Sequence, residues 1–121
     1  MFAIKVEDYD EASQEADIIV SDGTWTFKCF SHPFAEKILE DWDGVLYCLN
    51  TGNIVLSNDC SYAISKGEDT YSFWLRGRVI DLDKGAIAIG DFKITMNQEI
   101  IPKDIKLGDF IEFKTSRLDI N

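Results

Sequence analysis

Three side chains in the carboxy-terminal half of the chain have types and a spacing that suit ligand binding. Trp74, Arg76 and Arg78 alternate in a β-like segment, so on a strand they would share one face. A guanidinium group beside an aromatic ring can stack on a nucleobase or hold an anion. The simpler interpretation is that this face is the solvated side of a strand whose other face is buried.

Three cysteines and a single histidine offer metal or nucleophilic chemistry. The set is Cys29, His32, Cys48 and Cys60. Thiolate and imidazole are ligands that zinc prefers, but only Cys29 and His32 are close in sequence, and free cysteine commonly packs as a small hydrophobe. A histidine base also needs a third group to orient it, and the sequence indicates none. We therefore predict no metal site, no cofactor and no catalytic residue.

Acidic side chains are concentrated at one end of the chain. Residues 1–44 hold eleven Asp and Glu against three Lys, a net charge of 3 − 11 = −8. Residues 45–121 hold eleven acids against nine bases, a net charge of 9 − 11 = −2. Two candidate patches follow. The first comprises Glu7, Asp8, Asp10 and Glu11, continued by Glu15 and Asp17, and the second comprises Glu36, Glu40, Asp41 and Asp43 around Trp42.

This charge excess selects partners rather than a fold. It favours a basic protein as the partner of the acidic end, and it disfavours nucleic acid or an anionic membrane. Two groups of carboxylates offer cation ligands, Glu40-Asp41 with Asp43 and Asp81 with Asp83, but neither has the oxygen-ligand spacing of a calcium loop. The sequence contains no glycine-rich phosphate loop. A solvated acidic surface accounts for the carboxylates more simply than acid–base catalysis does. The sequence therefore predicts a protein that is not an enzyme.

Length and composition predict that residues 1–121 form a single cytoplasmic domain. The 121 residues suffice for one hydrophobic core, and the 45% hydrophobic content excludes wholesale disorder. No apolar run approaches the roughly 18–20 residues of a membrane span. The acidic start lacks the pattern of a secretory signal. An odd number of cysteines is unlike a disulfide framework and favours a reducing compartment.

Alternating apolar residues and turn signals predict a series of short strands. The first strand covers residues 2–6 and precedes a loop or weak helix over residues 7–14. Two further strands, over residues 16–21 and 24–30, flank Asp22-Gly23, a dipeptide typical of a two-residue type I′ hairpin turn. Alternation places Trp25, Phe27 and Cys29 on one apolar face of the second strand.

One short helix is predicted after this hairpin. Phe34, Ile38, Leu39 and Trp42 have the spacing of one helix face, and Ser31 is placed to cap the first turn. The alternative is an irregular connection over residues 38–42, before Asp43-Gly44.

The rest of the chain predicts strands and turns only. Residues 50–53 have the composition of a second hairpin turn, between strands over 45–49 and 54–56. A long strand over residues 71–82 contains Gly77, where a bulge or bend would fit. The last strand begins at Phe110. The predicted fold is therefore all-β, a small barrel or sandwich of antiparallel strands with one short helix.

Residues 70–114 resemble part of an OB-fold. The segment Leu75-Arg76-Gly77-Arg78-Val79 is similar to the long, glycine-bent strand of such barrels, and Gly108-Asp109 is similar to the entry of a later strand. The resemblance implies a small β-barrel, an architecture that serves many functions.

Two functions compete on these observations. The first is a non-catalytic acidic binding domain that docks a basic protein, and in size and acidity the chain is similar to bacterial immunity proteins. The alternative is an OB-like module that binds single-stranded nucleic acid or a small anionic ligand through Trp74, Arg76 and Arg78. The abundant acids favour the first function.

Overall fold

Nine β-strands and two short 3-10 turns make up residues 2–120, the part of the chain that the computed structural model describes. The strands are β1 (Ala3–Asp10), β2 (Glu15–Ser21), β3 (Thr26–Ser31), β4 (Val45–Leu56), β5 (Ala63–Lys66), β6 (Phe73–Asp81), β7 (Ala86–Ile89), β8 (Phe92–Thr95) and β9 (Phe110–Asp119). The 3-10 turns cover Glu36–Leu39 and Gln98–Ile100. The all-β prediction is confirmed. No helix in this range is long or apolar enough to span a membrane.

Five strands close into a small barrel. β4 pairs with β8 and β9, β8 with β7, β7 with β6, and β6 returns to β9, so each barrel strand has a partner strand on both sides. The β4–β8 pairing and the short β3–β9 pairing are parallel, where the sequence predicted antiparallel strands throughout. β4 and β8 can run parallel because three intervening strands carry the chain back to the same end of the barrel.

An antiparallel extension, β1–β2–β3, continues the sheet beyond the barrel. A single parallel residue pair in the described range, Phe30 with Asp119, joins β3 to β9. Side chains make the larger connection: the Phe27 ring lies 5.8 Å from that of Phe73 and 4.9 Å from that of Phe92, centroid to centroid. The inner face of the extension therefore shares one hydrophobic core with the barrel.

The predicted hairpin at residues 50–53 is wrong, because β4 runs through these residues as one long strand. Its ladder with β9 resumes beyond an irregularity between Gly52 and Val55. Asn50 and Asn53 take positive φ angles of 52° and 55°, which asparagine adopts more readily than most residues. The turn-like composition therefore forms a bulge that bends a strand, since pairing with β9 on both sides keeps the chain extended.

The hairpin between β2 and β3 is present, but its turn is longer than predicted. Ser21 pairs with Thr26, which leaves four loop residues rather than two. The Asp22 carboxylate orders this loop by accepting hydrogen bonds from the amides of Trp25 (2.7 Å) and Asp91 (2.9 Å), the latter in the β7–β8 turn. Burial raises the pKa of Asp22, but hydrogen bonds from backbone amides outweigh it and leave the pKa below its ordinary value.

The predicted short helix is reduced to the 3-10 turn at Glu36–Leu39. No side chain caps it, because Ser31 is buried at the end of β3. Aromatic contacts fix the segment instead: Phe34 packs against Tyr9, with ring centroids 5.5 Å apart. An uncapped helix this short gains little from its own hydrogen bonds, so side-chain packing decides the backbone.

Gly77 allows two strands to approach closely rather than marking a bulge. A Cβ there would lie 2.6 Å from the carbonyl oxygen of Ala88 and 2.7 Å from Cγ2 of Ile87, both on β7. The register shift of β6 against β7 comes later, between Val79 and Asp81.

Candidate functional site

Four carboxylates meet on the outer face of the extension. Asp8 and Asp10 on β1 lie directly opposite Asp17 and Glu15 on β2. Directly opposed residues of an antiparallel pair point to the same face, so the register creates two like-charge pairs side by side. These carboxylates line a shallow cleft of about 200 Å³, with Phe30 and Tyr71 completing it. We call this site the acidic cleft.

A β-bulge at Glu7 is responsible for this placement. Strict alternation would put Asp8 and Asp10 on the same face as Val6, which pairs with the buried Ile18. The register shift between Val6 and Asp8 inserts one residue, so the acids turn to the outer face. The predicted loop or weak helix over residues 7–14 is thus wrong as far as Asp10, because pairing with β2 extends the strand.

Two aromatic residues and two basic residues surround the acids. The Tyr71 hydroxyl donates a 2.7 Å hydrogen bond to Asp17, and this bond, with burial and the Asp17 charge, raises the pKa of Tyr71 to about 12. Lys28 Nζ lies 3.2 Å from Glu7 and 3.9 Å from Asp17, and 5.7 Å from the centroid of the Tyr71 ring. Lys28 thus neutralises part of the negative charge at one side of the cleft.

Arg117 packs over Phe30, one of the two aromatic residues of the acidic cleft. Its guanidinium lies 4.0 Å from the centroid of Phe30 and forms two hydrogen bonds to Asp119, of 2.6 and 3.0 Å. The Asp119 hydrogen bond raises the pKa of Arg117 above its ordinary value. Arg117 is therefore paired with Asp119 rather than with the like-charge pairs. Asp8, Asp10 and Glu15 form no ion pair with any described residue.

The structure places the second predicted patch elsewhere. Glu36 lies beside Val6 and Tyr9, on the opposite face of β1 from the acidic cleft. Trp42 packs half-buried, with its ring 5.0 Å from that of Phe2. The remaining acids of this patch, Glu40, Asp41 and Asp43, and Glu11 of the first patch are exposed. The two patches thus form separate surfaces.

Trp74, Arg76 and Arg78 share the outer face of β6, as their spacing predicts. Arg76, however, is engaged within the chain: its guanidinium carbon lies 5.4 Å from the Trp74 ring centroid, and its nitrogens lie 3.4 Å from Asp59 and 3.5 Å from Glu112. Arg78 is exposed. The geometry leaves one of the two predicted arginines available to a ligand.

The cysteines do not assemble. No group of three or more His, Cys, Asp or Glu residues within 2–120 has the arrangement of a metal site. The Cys29 thiol is buried and lies 3.4 Å from the carbonyl oxygen of Ile18, and burial raises its pKa to about 12. Burial likewise raises the pKa of Cys48 to about 11. Both thiols are therefore protonated at neutral pH and poor nucleophiles.

The aromatic and basic members of the acidic cleft are the residues that sequence reasoning missed. Tyr71 hydrogen-bonds Asp17 across 54 residues of sequence, and no local pattern signals such a contact. The pairing of Asp8 with Asp17 depends on the bulge, which alternation alone does not reveal.

Comparison with known proteins adds no relative to these observations. No family model, curated protein or solved structure matches this chain.

Proposed function

We propose that this protein is a non-catalytic binding domain that docks a basic protein partner in the acidic cleft. The observation that carries the proposal is that acidic residues lie directly opposite one another on β1 and β2, Asp8 with Asp17 and Asp10 with Glu15. They lie beside an aromatic floor formed by Phe30 and Tyr71. Carboxylates directly opposite one another destabilise a sheet. A Lys or Arg of a partner placed between them would remove that repulsion, so the arrangement is more favourable in a complex than in the free protein.

The aromatic floor supports a cationic ligand. Phe30 already lies 4.0 Å beneath the Arg117 guanidinium, and Tyr71 lies near Lys28. A cation over an aromatic face gains about 0.5–1 kcal/mol at exposed sites and more when water is excluded. A partner side chain entering the cleft would combine this interaction with hydrogen bonds to carboxylates, which are among the stronger kinds in proteins.

The wider charge distribution supports rapid association. Residues 1–44 carry a net charge of −8. One-sided charge of this kind raises the rate at which an oppositely charged protein arrives, and the effect falls as salt is added. An inhibitor- or immunity-type role, in which the acidic face covers a basic active site, is the form of this function that we favour.

The test compares two triple variants with the same net charge. The cleft variant carries Asp8→Asn, Asp10→Asn and Glu15→Gln. The control variant neutralises three exposed acids elsewhere and carries Asp83→Asn, Asp91→Asn and Glu99→Gln. Wild type and both variants are used to capture partners from cells of the source organism over a series of salt concentrations, and each captured protein is then purified for affinity measurement.

A specific cleft predicts one pattern of results. Wild type and the control variant should bind the same basic protein at low salt, and the cleft variant should bind it at least about tenfold more weakly, equivalent to about 1.4 kcal/mol. Equal binding by the two triple variants would show that net charge alone acts. Failure of wild type to capture any basic protein at low salt would overturn the proposal.

The alternative function, binding of single-stranded nucleic acid or a small anion through Trp74, Arg76 and Arg78, has weaker support. Arg76 is already paired with Asp59 and Glu112, and releasing it would expose two carboxylates to the ligand. An electrophoretic shift with short oligonucleotides at low salt tests this alternative, because phosphate contacts are strongest there.

A further inference from the structure

A second cleft lies on the barrel, and it shares no lining residue with the acidic cleft. It has a volume of about 360 Å³, near the lower end of the range of roughly 300–1,000 Å³ for small-molecule pockets. Its walls come from the β4 bulge, the turn between β5 and β6, the start of β6, and β9. We call it the Trp74 cleft. The residues that line it include Asn50, Gly52, Asn53, Glu68, Asp69, Trp74, Lys114 and Ser116.

Five polar side chains of the Trp74 cleft have no hydrogen-bond or ion-pair partner among the described residues. Within the described residues, Asn50, Asn53, Glu68, Lys114 and Ser116 make no side-chain hydrogen bond or ion pair. They offer amide, carboxylate, ammonium and hydroxyl groups, which together supply both donors and acceptors. A ligand that fits this wall must itself carry many donors and acceptors in a small volume.

The backbone of β4 directs this wall. Asn50 and Asn53 hold positive φ angles on either side of Gly52, a conformation that is strained for a non-glycine residue even though asparagine adopts it more readily than most. Bulges often re-aim side chains near functional sites. A Cβ on Gly52 would meet no atom within 4 Å, so the space between the two asparagines is open. Strain and opening coincide at the same short segment.

Trp74 supplies the apolar part of the cleft. It is half-buried on β6 and lies directly across from Lys114 on β9, which in turn lies across from Gly52 on β4. The three residues therefore share the outer face of neighbouring strands. The cleft lies at the amino-terminal end of β6, away from Arg78.

The charge of the Trp74 cleft disfavours an anionic ligand. Glu68 and Asp69 are negative and Lys114 is positive, so the formal sum is 1 − 2 = −1. Hydrogen bonds from the Ser72 side chain and from backbone amides lower the pKa of Asp69, which keeps it charged at neutral pH. The Asp69 carboxylate is engaged by the amides of Tyr71 and Ser72, which leaves Glu68 and Lys114 as a balanced pair of free charges.

We propose that the Trp74 cleft binds a neutral carbohydrate. A sugar ring has an apolar C–H face that can pack on the Trp74 indole, and it carries hydroxyl groups that both donate and accept hydrogen bonds. Asn50 and Asn53 would pair with adjacent hydroxyls, Lys114 would donate, and Glu68 would accept. This site is distinct from the acidic cleft, and it stands or falls independently of the proposed protein partner.

The test uses nuclear magnetic resonance of the full chain with four neutral probes: maltotetraose, cellotetraose, mannotetraose and tetra-N-acetylchitotetraose. At about 20 mM, each would reveal a dissociation constant in the millimolar range, about −4 kcal/mol. At least one should shift the Trp74 indole and the side-chain amides of Asn50 and Asn53, with saturation. Adenosine monophosphate serves as the anionic comparison.

Gly52→Phe is the decisive variant, because an added Cβ at this position meets no atom within 4 Å and the phenyl ring would then fill the cleft. It should weaken sugar binding at least about tenfold, or about 1.4 kcal/mol. The matched control, Thr24→Phe in the exposed β2–β3 loop, should bind like wild type. Thermal melting verifies that both variants fold. Sugar-induced shifts that persist in Gly52→Phe, the absence of shifts with all four sugars, or binding of the nucleotide alone would each overturn the proposal.

Discussion

The closed barrel and the β1–β3 extension differ in how the edges of their strands are paired. Each of the five barrel strands has a partner strand on both sides, whereas β1 and β5, the latter paired with β6, each leave one edge free in the described range. The barrel lies in the part of the chain with nearly balanced charge, and the extension lies in the part with a net charge of −8. The longer of the two free edges, that of β1, is the one that carries the acids, and like charge on this edge opposes pairing with a second copy.

The acidic surface and the closed barrel belong to different parts of the chain, but both parts share one hydrophobic core. Ile18, Val20 and Phe27 of the extension are fully buried together with barrel residues such as Phe113. The extension therefore presents a dense acidic surface on one face while its other face is anchored to the barrel. The following variants test whether the two regions unfold together and whether the acids weaken the region that carries them.

The largest effect is expected from Phe113→Ala in the barrel. Phe113 is fully buried, and removing its ring should lower the free energy of unfolding by about 3–5 kcal/mol. Because the core is shared, hydrogen exchange should accelerate in β2 as well as in β9. Denaturant unfolding and amide exchange measure these two quantities. Exchange in β2 that stays at the wild-type rate would show that the extension is a separate folding unit.

Two further variants keep this test interpretable. Phe113→Leu nearly conserves volume and should cost less than about 1.5 kcal/mol, so it remains folded if the alanine variant does not. Leu107→Ala changes a side chain that is 65% exposed and should alter stability by no more than about 0.5 kcal/mol.

A smaller effect is expected from Gly77→Ala, which tests the tightness of the barrel. The added methyl group would lie 2.6 Å from the Ala88 carbonyl oxygen, and the resulting strain should cost about 1–3 kcal/mol. Gly52→Ala is the matched control, because its methyl group meets no atom within 4 Å and should leave stability unchanged or slightly higher. Equal melting temperatures for the two variants would contradict close strand approach at Gly77.

The next effect concerns the seam between the two regions. Tyr71→Phe removes the 2.7 Å hydrogen bond to Asp17 and should cost about 1 kcal/mol at neutral pH. Tyr62→Phe is the control, since no described residue hydrogen-bonds to the Tyr62 hydroxyl, and it should be close to neutral. Denaturant unfolding of both variants measures the difference, and an equal loss in both would exclude a role for the seam bond.

Raising the pH should reproduce the effect of Tyr71→Phe in the wild-type protein. The folded-state pKa of Tyr71 is raised to about 12 from an ordinary value of 10. Its contribution is therefore complete below pH 10 and lost as the pH rises through 12. The stability difference between wild type and Tyr71→Phe should shrink over this window. A difference that does not change between pH 9 and 12 would contradict the assigned hydrogen bond.

Sequence patterns revealed strands where alternation is local, and failed where a distant strand decides the backbone. The predicted strand over residues 24–30 buries Phe27 and Cys29, and the structure agrees. The segment at Asn50 carries the composition of a hairpin, yet its partner is β9, more than 60 residues away. The acids of the first patch were identified by type alone. Their opposition across β1 and β2 depends on the bulge at Glu7, and Tyr71 reaches them only through the fold.

The effect that bears most directly on the acidic cleft is a gain in stability. Asp8→Asn and Glu15→Gln each neutralise one member of a like-charge pair. The double variant should unfold with a free energy higher by about 0.2–1 kcal/mol per pair, measured by denaturant titration at low salt. The gain should shrink near 1 M salt, where screening acts over about 3 Å.

The matched control, Asp83→Asn with Glu99→Gln, removes two negative charges from exposed positions that form no ion pair with a described residue. If the acidic cleft is kept at a cost to stability, the control should gain less than the cleft variant. An equal gain would assign the effect to net charge and remove the local argument for a binding site. A loss of stability in the cleft variant would mean that Lys28 and nearby groups already compensate the acids. Only local repulsion that a partner could relieve predicts both a more stable variant and a weaker complex.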